Sequence, residues 1–214
     1  MALLSGILTV FCFCAAGSAP PPEPTVLAVH VHITFDRSIT SKALETVAKE
    51  EAAAIWSDYG VELEWSDRGI EPALCLDAFV QRHRRSGPFG GAPEVLAHTT
   101  ITPGAIAGAP ILISFDAVDA LLEQEHFANL SLHDRAVAIA LGRVLAHEIG
   151  HVLLGSPGYH DPEGLMRARF LTNDLVRMER SRFRLTEGSI ERLRSRIASL
   201  SDAQPADSCT RTAR

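Results

Sequence analysis

The sequence predicts one α+β domain. It would hold a mixed, twisted sheet of about five strands, one helix in the N-terminal half, a long helix past the middle and a helix at the C-terminal end. Strand-like runs before residue 116, alternating with period two at 25–35 and 61–65, give a β-α-β-β-β-β order. Two later stretches repeat their apolar residues at helical spacing instead. The length, 214 residues at 23.1 kDa, suits a single core, and 46% hydrophobic with 21% charged residues is enough to build one.

The first element is not part of that domain. Leu3 to Ala16 are apolar, Ala16-Gly17-Ser18 are small, and a proline cluster runs from Pro20 to Pro24. This pattern reads as a secretory signal over 1–18 followed by a Pro-rich linker over 19–25. The stretch is short for a bilayer span, and no later apolar run is expected to cross one, so stable membrane insertion is not expected after signal removal. The chain is then expected to be secreted, periplasmic or extracellular. Of the four cysteines, Cys75 and Cys209 remain after the signal. In an oxidising compartment they can pair; a buried thiol at Cys75 with a loose one at Cys209 is the alternative.

Within the domain, expected over 26–200, residues 25–35 set Val29, Val31 and Ile33 against His30, His32 and Thr34, as in a half-buried strand. Leu44, Val47, Ala48, Ala52 and Ile55 follow at helical spacing, between a Thr40 or Ser41 cap and Gly60. Val61, Leu63 and Trp65 alternate again; 74–80, 94–101 and 111–115 are further strands. The long helix has Ser131 and Asp134 as a capping box, then Ala136, Ile139, Ala140, Val144, Leu145, Ile149 and Val152. Gly155 and Pro157 end it. A last helix starts at Thr186 and carries Ile190, Leu193, Ile197 and Leu200 on one side; 201–214 is a tail.

Composition excludes one class of function. A net charge of −6, a pI near 5.8 and 6% aromatic residues do not suit a dedicated nucleic-acid binder. Chemistry enters at His147-Glu148-Ile149-Gly150-His151, at the end of the long helix. Residues four apart lie one above the other, so both imidazoles face one side at a spacing that can share a metal. Zinc accepts neutral imidazole nitrogen, and a catalytic site keeps three protein ligands and an open position. Glu148 stands beside the pair without occupying that metal. Two other histidines, His30 and His32, share a strand face and read as polar surface rather than a metal pair.

With these residues the sequence resembles the metzincin superfamily of zinc peptidases, over nearly all of 26–200. The resemblance rests on His147, Glu148, His151, the helix-ending Gly155, His160 as third histidine, and Met166 in the turn Gly164-Leu165-Met166. Val95, Leu96, Ala97 and His98 resemble the edge strand that lines the substrate cleft in matrixins. The resemblance implies one catalytic zinc on His147, His151 and His160, with Glu148 as general base and acid toward a zinc-activated water. It implies a peptide or protein substrate lying along the edge strand, with side-chain preference set around 156–159 and 167–170.

The sequence also departs from the family. The glycine comes four residues after His151 and His160 nine, where the family has three and six. Asp161 and Glu163 therefore compete with His160 as third ligand. No tyrosine follows Met166 in Arg167-Ala168-Arg169-Phe170, and the interval from 18 to the first strand is too short for a cysteine-switch propeptide. Two rivals remain. One is a zinc hydrolase of another scaffold with Glu179 or Glu187 as third ligand, and the other is a non-catalytic zinc-binding protein. Nine arginines against four acids from Arg167 to Arg196 read as a solvated face or a set of salt bridges.

Overall fold

The first strand, β1 (Leu27–Phe35), organises the sheet of the computed structural model, which describes residues 26–65, 74–82, 96–99, 110–123, 125, 127–156, 158–177 and 179–202. It pairs in parallel with β2 (Val61–Trp65) on one side and β3 (Leu74–Gln81) on the other. Next to β3 lies β5 (Pro110–Ser114), also parallel, and β4 (Ala97–Thr99) closes the order β2-β1-β3-β5-β4 as an antiparallel edge. The expected mixed sheet of five strands is therefore observed. One face is continuous apolar core, built from Val29, Val31, Leu63, Leu74, Leu76, Ala78, Val80, Ile111 and Ile113. On the opposite face His30 pairs with Glu64 at 2.8 Å and His32 with Asp77 at 3.3 Å, so these two histidines serve cross-strand pairs.

The parallel pairing of β1 and β2 needs a crossover, and α1 (Lys42–Ser57) supplies it. Ser41 caps it by accepting from the Leu44 N–H, and Leu44, Ala48, Ala52, Ile55 and Trp56 form its buried stripe. The strand expected over 111–115 ends one residue early. The Ser114 hydroxyl accepts from the Ala117 N–H and starts α2 (Phe115–Leu122), a helix the sequence reading lacks. Of the expected 94–101 the described residues are 96–99, of which Ala97–Thr99 form β4, and the Ser114 N–H also bonds the Leu96 carbonyl at 2.9 Å and extends the pairing by a residue. Val95 lies outside the described residues.

The long helix, α3 (Leu130–Leu153), starts under an Asn129 cap that accepts from Leu132 N–H, rather than the expected Ser131–Asp134 box. From Ala136 to Leu153 every residue is buried, so this part of the helix is enclosed on all sides and is apolar except for Arg143, His147, Glu148 and His151. It packs against α1, α2, β4, β5 and the short α4 (Thr172–Val176). Contrary to the expectation that no apolar run would qualify, its 24 residues are long and apolar enough to cross a membrane; in this fold they are core. The Trp56 indole donates to the Ala146 carbonyl at 3.1 Å, which fixes α1 against α3 one residue before His147.

A buried ion network anchors the same helix. Arg143, fully enclosed, donates to Glu51 Oε1 at 2.9 Å and to the carbonyls of Asp174 and Leu175 at 2.6 and 3.0 Å. Arg180 reaches Glu51 at 2.8 Å, while Arg167 and Arg182 reach buried Asp174 at 2.7 and 3.0 Å. Part of the arginine-rich stretch thus serves salt bridges of the fold. Removing one partner of such a buried pair costs about 3–5 kcal/mol. The last helix, α5 (Glu187–Asp202), begins where expected, with Thr186 accepting from the Ser189 N–H and Leu193 and Leu200 buried. Cys75, on β3, is disulfide-bonded, and every other cysteine, Cys209 included, lies outside the described residues. The same holds for the signal segment 1–18, the linker 19–25 and the tail beyond 202.

Candidate metal centre

His147 and His151 project from the last two turns of α3, and both are buried. The helix then stops at Gly155, whose φ of 68° is open to glycine at little cost. The Gly155 N–H bonds the Val152 carbonyl at 3.1 Å and the Ser156 N–H bonds that of His151 at 3.1 Å, which satisfies the helix end. A turn from Ser156 to Tyr159, closed by a 3.4 Å hydrogen bond, brings the chain back. It carries His160 to the other two histidines despite the enlarged interval.

The result is a cluster in which one ring nitrogen each from His147, His151 and His160 lies within 4.8 Å of the others. Among the described residues this is the one group of three or more His, Cys, Asp or Glu side chains so placed. The two helix histidines have their Nε2 atoms 3.1 Å apart. Two ligands of a tetrahedral zinc at 2.0–2.1 Å would stand about 3.3 Å apart. Their other nitrogens are already engaged: His147 Nδ1 donates to the Leu165 carbonyl at 2.7 Å and His151 Nδ1 to the Ser156 carbonyl at 3.1 Å. A carbonyl only accepts, so each Nδ1 carries the proton and each Nε2 of a neutral ring presents a lone pair.

Two lone pairs face to face repel unless a cation lies between them. Protonating a ring is disfavoured here. Burial pushes His147 down to about 3 against the Leu165 hydrogen bond, with His151, His160 and Arg167 adding repulsion. Burial also lowers His151. The donor set therefore fits a divalent ion that accepts imidazole nitrogen. The carbonyl bonds to Nδ1 are the outer contacts that orient metal-binding histidines generally.

The competing ligands are directed elsewhere. The Asp161 carboxylate accepts from Tyr159 Oη at 2.6 Å, Thr186 Oγ1 at 2.8 Å and Ser189 Oγ at 2.6 Å. Burial pushes this carboxyl up, but the hydrogen bonds from Ser189, Tyr159 and Thr186 outweigh it and hold it below the ordinary carboxylate range. Asp161 thus fastens the loop to α5 and is not in the cluster. Glu163, Glu179 and Glu187 are exposed and do not join it either. His98, on the edge strand, is exposed and also outside the cluster.

Met166 lies beneath the helix, fully buried. A Cβ at Gly150 would collide with Met166 Sδ, so a larger residue there would force the buried Met166 side chain to shift. The Met166 carbonyl accepts from the Asp161 N–H at 2.8 Å and the Leu165 N–H bonds the Arg184 carbonyl at 2.8 Å, locking this turn under His147. The Phe170 ring meets the His147 ring edge-on at a centroid distance of 5.2 Å and stacks on Phe183 at 5.4 Å.

Glu148 is buried beside the cluster, and burial pushes its carboxyl up to about 7, opposed by a hydrogen bond from Thr99. Thr99 Oγ1 donates to Glu148 Oε2 from the edge strand β4. Sequence reading missed this residue. The signal available was its place two positions after Ala97, on the same face of an alternating strand. Leu96 and Ala97, the described part of the matrixin-like stretch besides His98, are half-buried beside it.

No protein-family model matches the chain, and no curated protein sequence matches it. Among solved structures the chain is similar to the crystal structure of archaemetzincin from Methanopyrus kandleri, at 12% sequence identity and a TM-score of 0.44, over 83% of this chain and 98% of that one. So loose an overlap carries no chemistry, whereas the three imidazoles, their carbonyl partners and Glu148 stand on their own geometry.

Proposed function

We propose that the chain is a zinc-dependent endopeptidase of metzincin type. The observation that carries the reading is the pair of inward-facing Nε2 lone pairs on His147 and His151, joined by His160, with the buried Glu148 adjoining. His147, His151 and His160 would hold one zinc ion, and Met166 would support the site from below by packing. Bound zinc supplies a Lewis acid and brings the pKa of a water toward about 7. Glu148 takes a proton from the attacking water and returns it to the leaving amine, acting as base and then as acid.

The position of β4 supports a peptide as substrate. Among the described residues β4 is an edge strand of the sheet and lies against α3, so a peptide could add to it as a further strand through main-chain hydrogen bonds. Phe170, in contact with His147, would form part of the wall that meets a substrate side chain. The apolar segment over 1–18 supports export, and with it action on proteins outside the cytoplasm.

Glu148→Gln separates metal binding from turnover. The variant is expected to keep one zinc per chain by elemental analysis and to lose cleavage of a proteome-derived peptide library by at least about a hundredfold. Wild-type cleavage should vanish with chelator and return with zinc. A zinc-loaded wild type that cuts no peptide, or a Gln variant that cuts equally well, removes the peptidase reading.

A further inference from the structure

Glu148 is held on its Oε2 side by a residue of a different element, 49 positions earlier in the chain. Both partners are buried, with Thr99 at 7% and Glu148 at 6% exposure, so little water competes for this hydrogen bond. A glutamate has several rotatable bonds, and a helix backbone alone does not fix where its carboxylate points. Thr99 is stiffer. Its β-branch restricts χ1, and its backbone is fixed opposite Ile111 in the β4–β5 pairing. Ala97 and Thr99 share one face of β4, while exposed His98 points to the other.

We propose that Thr99 is a positioning residue for Glu148: its hydroxyl anchors Oε2, leaves Oε1 to handle the proton, and ties the aim of that carboxylate to the edge strand on which a peptide would lie. The inference rests on the peptidase reading above and adds to it a coupling. A substrate strand that orders β4 also orders Thr99, and through Thr99 the proton-transfer group. Misplacement of a reacting group by about 1 Å can cost about a hundredfold in rate, so one fixed hydroxyl has leverage. A hydroxyl that only satisfied a buried polar atom would influence stability and leave turnover unchanged.

The test compares Thr99→Val, which keeps the shape and removes the hydroxyl, with Thr99→Ser, which keeps the hydroxyl. In the zinc-loaded protein the Val variant is expected to lose about ten- to a hundredfold in kcat, with KM within about twofold and zinc content unchanged. The Ser variant should recover to within about threefold of wild type. In the metal-free protein, side-chain scalar couplings should report one Glu148 rotamer in wild type and the Ser variant, and several in the Val variant. Thr99→Ala takes the place of the Val variant if that chain does not fold. Unchanged kcat with a single Glu148 rotamer in the hydroxyl-free variant overturns the proposal, as does a Ser variant as impaired as Val. If the zinc-loaded wild type cleaves nothing, the peptidase reading fails while the rotamer measurement still decides the positioning role.

Discussion

The two sides of the histidine cluster are built by different means. His147 and His151 stand on a 24-residue helix whose C-terminal three-quarters is wholly buried, and each has its Nδ1 tied to a carbonyl. His160 is exposed and sits on a loop fastened by the polar contacts of Asp161. One side is preorganised by packing, so its geometry exists as long as the domain is folded. The other side is set by a few hydrogen bonds at the surface. An enlarged bend is tolerated because the length is added on the loop side, where backbone can be lengthened without disturbing core.

That contrast is most strongly tested by removing one histidine from each side. His147→Ala should weaken zinc by more than about a thousandfold, because changes in merely supporting contacts already cost about 10- to 100-fold. It also leaves the buried Leu165 carbonyl without its donor, so the metal-free protein should lose about 1–3 kcal/mol of stability. His160→Ala should also weaken zinc by about a hundredfold or more, yet change metal-free stability by less than about 0.5 kcal/mol. Competitive zinc titration and urea unfolding measure the two quantities. Equal loss of stability in both variants would abolish the distinction between a packed side and a tethered one.

How much of this was readable in advance follows the same division. The helix side is local: His147, Glu148, His151 and Gly155 fall within nine residues, and helical spacing alone puts the two imidazoles together. β1 and β2 announced themselves by period two, β5 by a compact apolar run, and α1 by its stripe and its cap at Thr40 or Ser41. Contacts made across the fold were not legible. Thr99 meets Glu148 through tertiary packing; its place two positions after Ala97 marks a shared strand face but not the partner that face meets. Asp161 looked like a ligand by position, but its partners Thr186 and Ser189 lie 25 and 28 residues on. α2 was hidden because Ile111 to Leu122 contains apolar residues throughout, and the change from strand to helix depends on a single serine cap.

Burial on the helix side also has an electrostatic consequence that sharpens the comparison. In the folded, metal-free protein Glu148 titrates near 7 rather than near 4.5, because burial disfavours its charge. Between those values the folded state holds a proton that the unfolded state has released. Stability contributed by this group therefore falls as pH rises from about 4.5 to 7 and is constant above. Glu148→Gln has no such dependence, so the variant should gain on wild type by at most about 1.4 kcal/mol per pH unit across that window. His147 acts in the opposite sense. Its folded pKa of about 3 lies below the ordinary 6.5, so its contribution is complete above 6.5 and is lost as pH falls toward 3. Taking the difference between Glu148→Gln and wild type cancels that background. A difference independent of pH would show that the Glu148 site is not desolvated when metal-free.

The smallest expected effect concerns the fastening of the loop side. Asp161 gathers Tyr159, Thr186 and Ser189 around one carboxylate and so holds the residue next to His160 against the start of α5. If that is its whole contribution, Asp161→Ala loosens the return of the chain without removing a ligand, and zinc should weaken by only about tenfold. Thr186→Val, which removes one of the three hydrogen bonds from a distance, should produce a fraction of the same loss. A direct ligand behaves otherwise: Asp161→Ala would then match His160→Ala, and Thr186→Val would leave zinc affinity intact. Ranking the three variants by competitive zinc titration therefore tells a clamp from a ligand even if every absolute affinity is shifted. The order expected is His160→Ala, then Asp161→Ala, then Thr186→Val, because each step is one contact further from the imidazole.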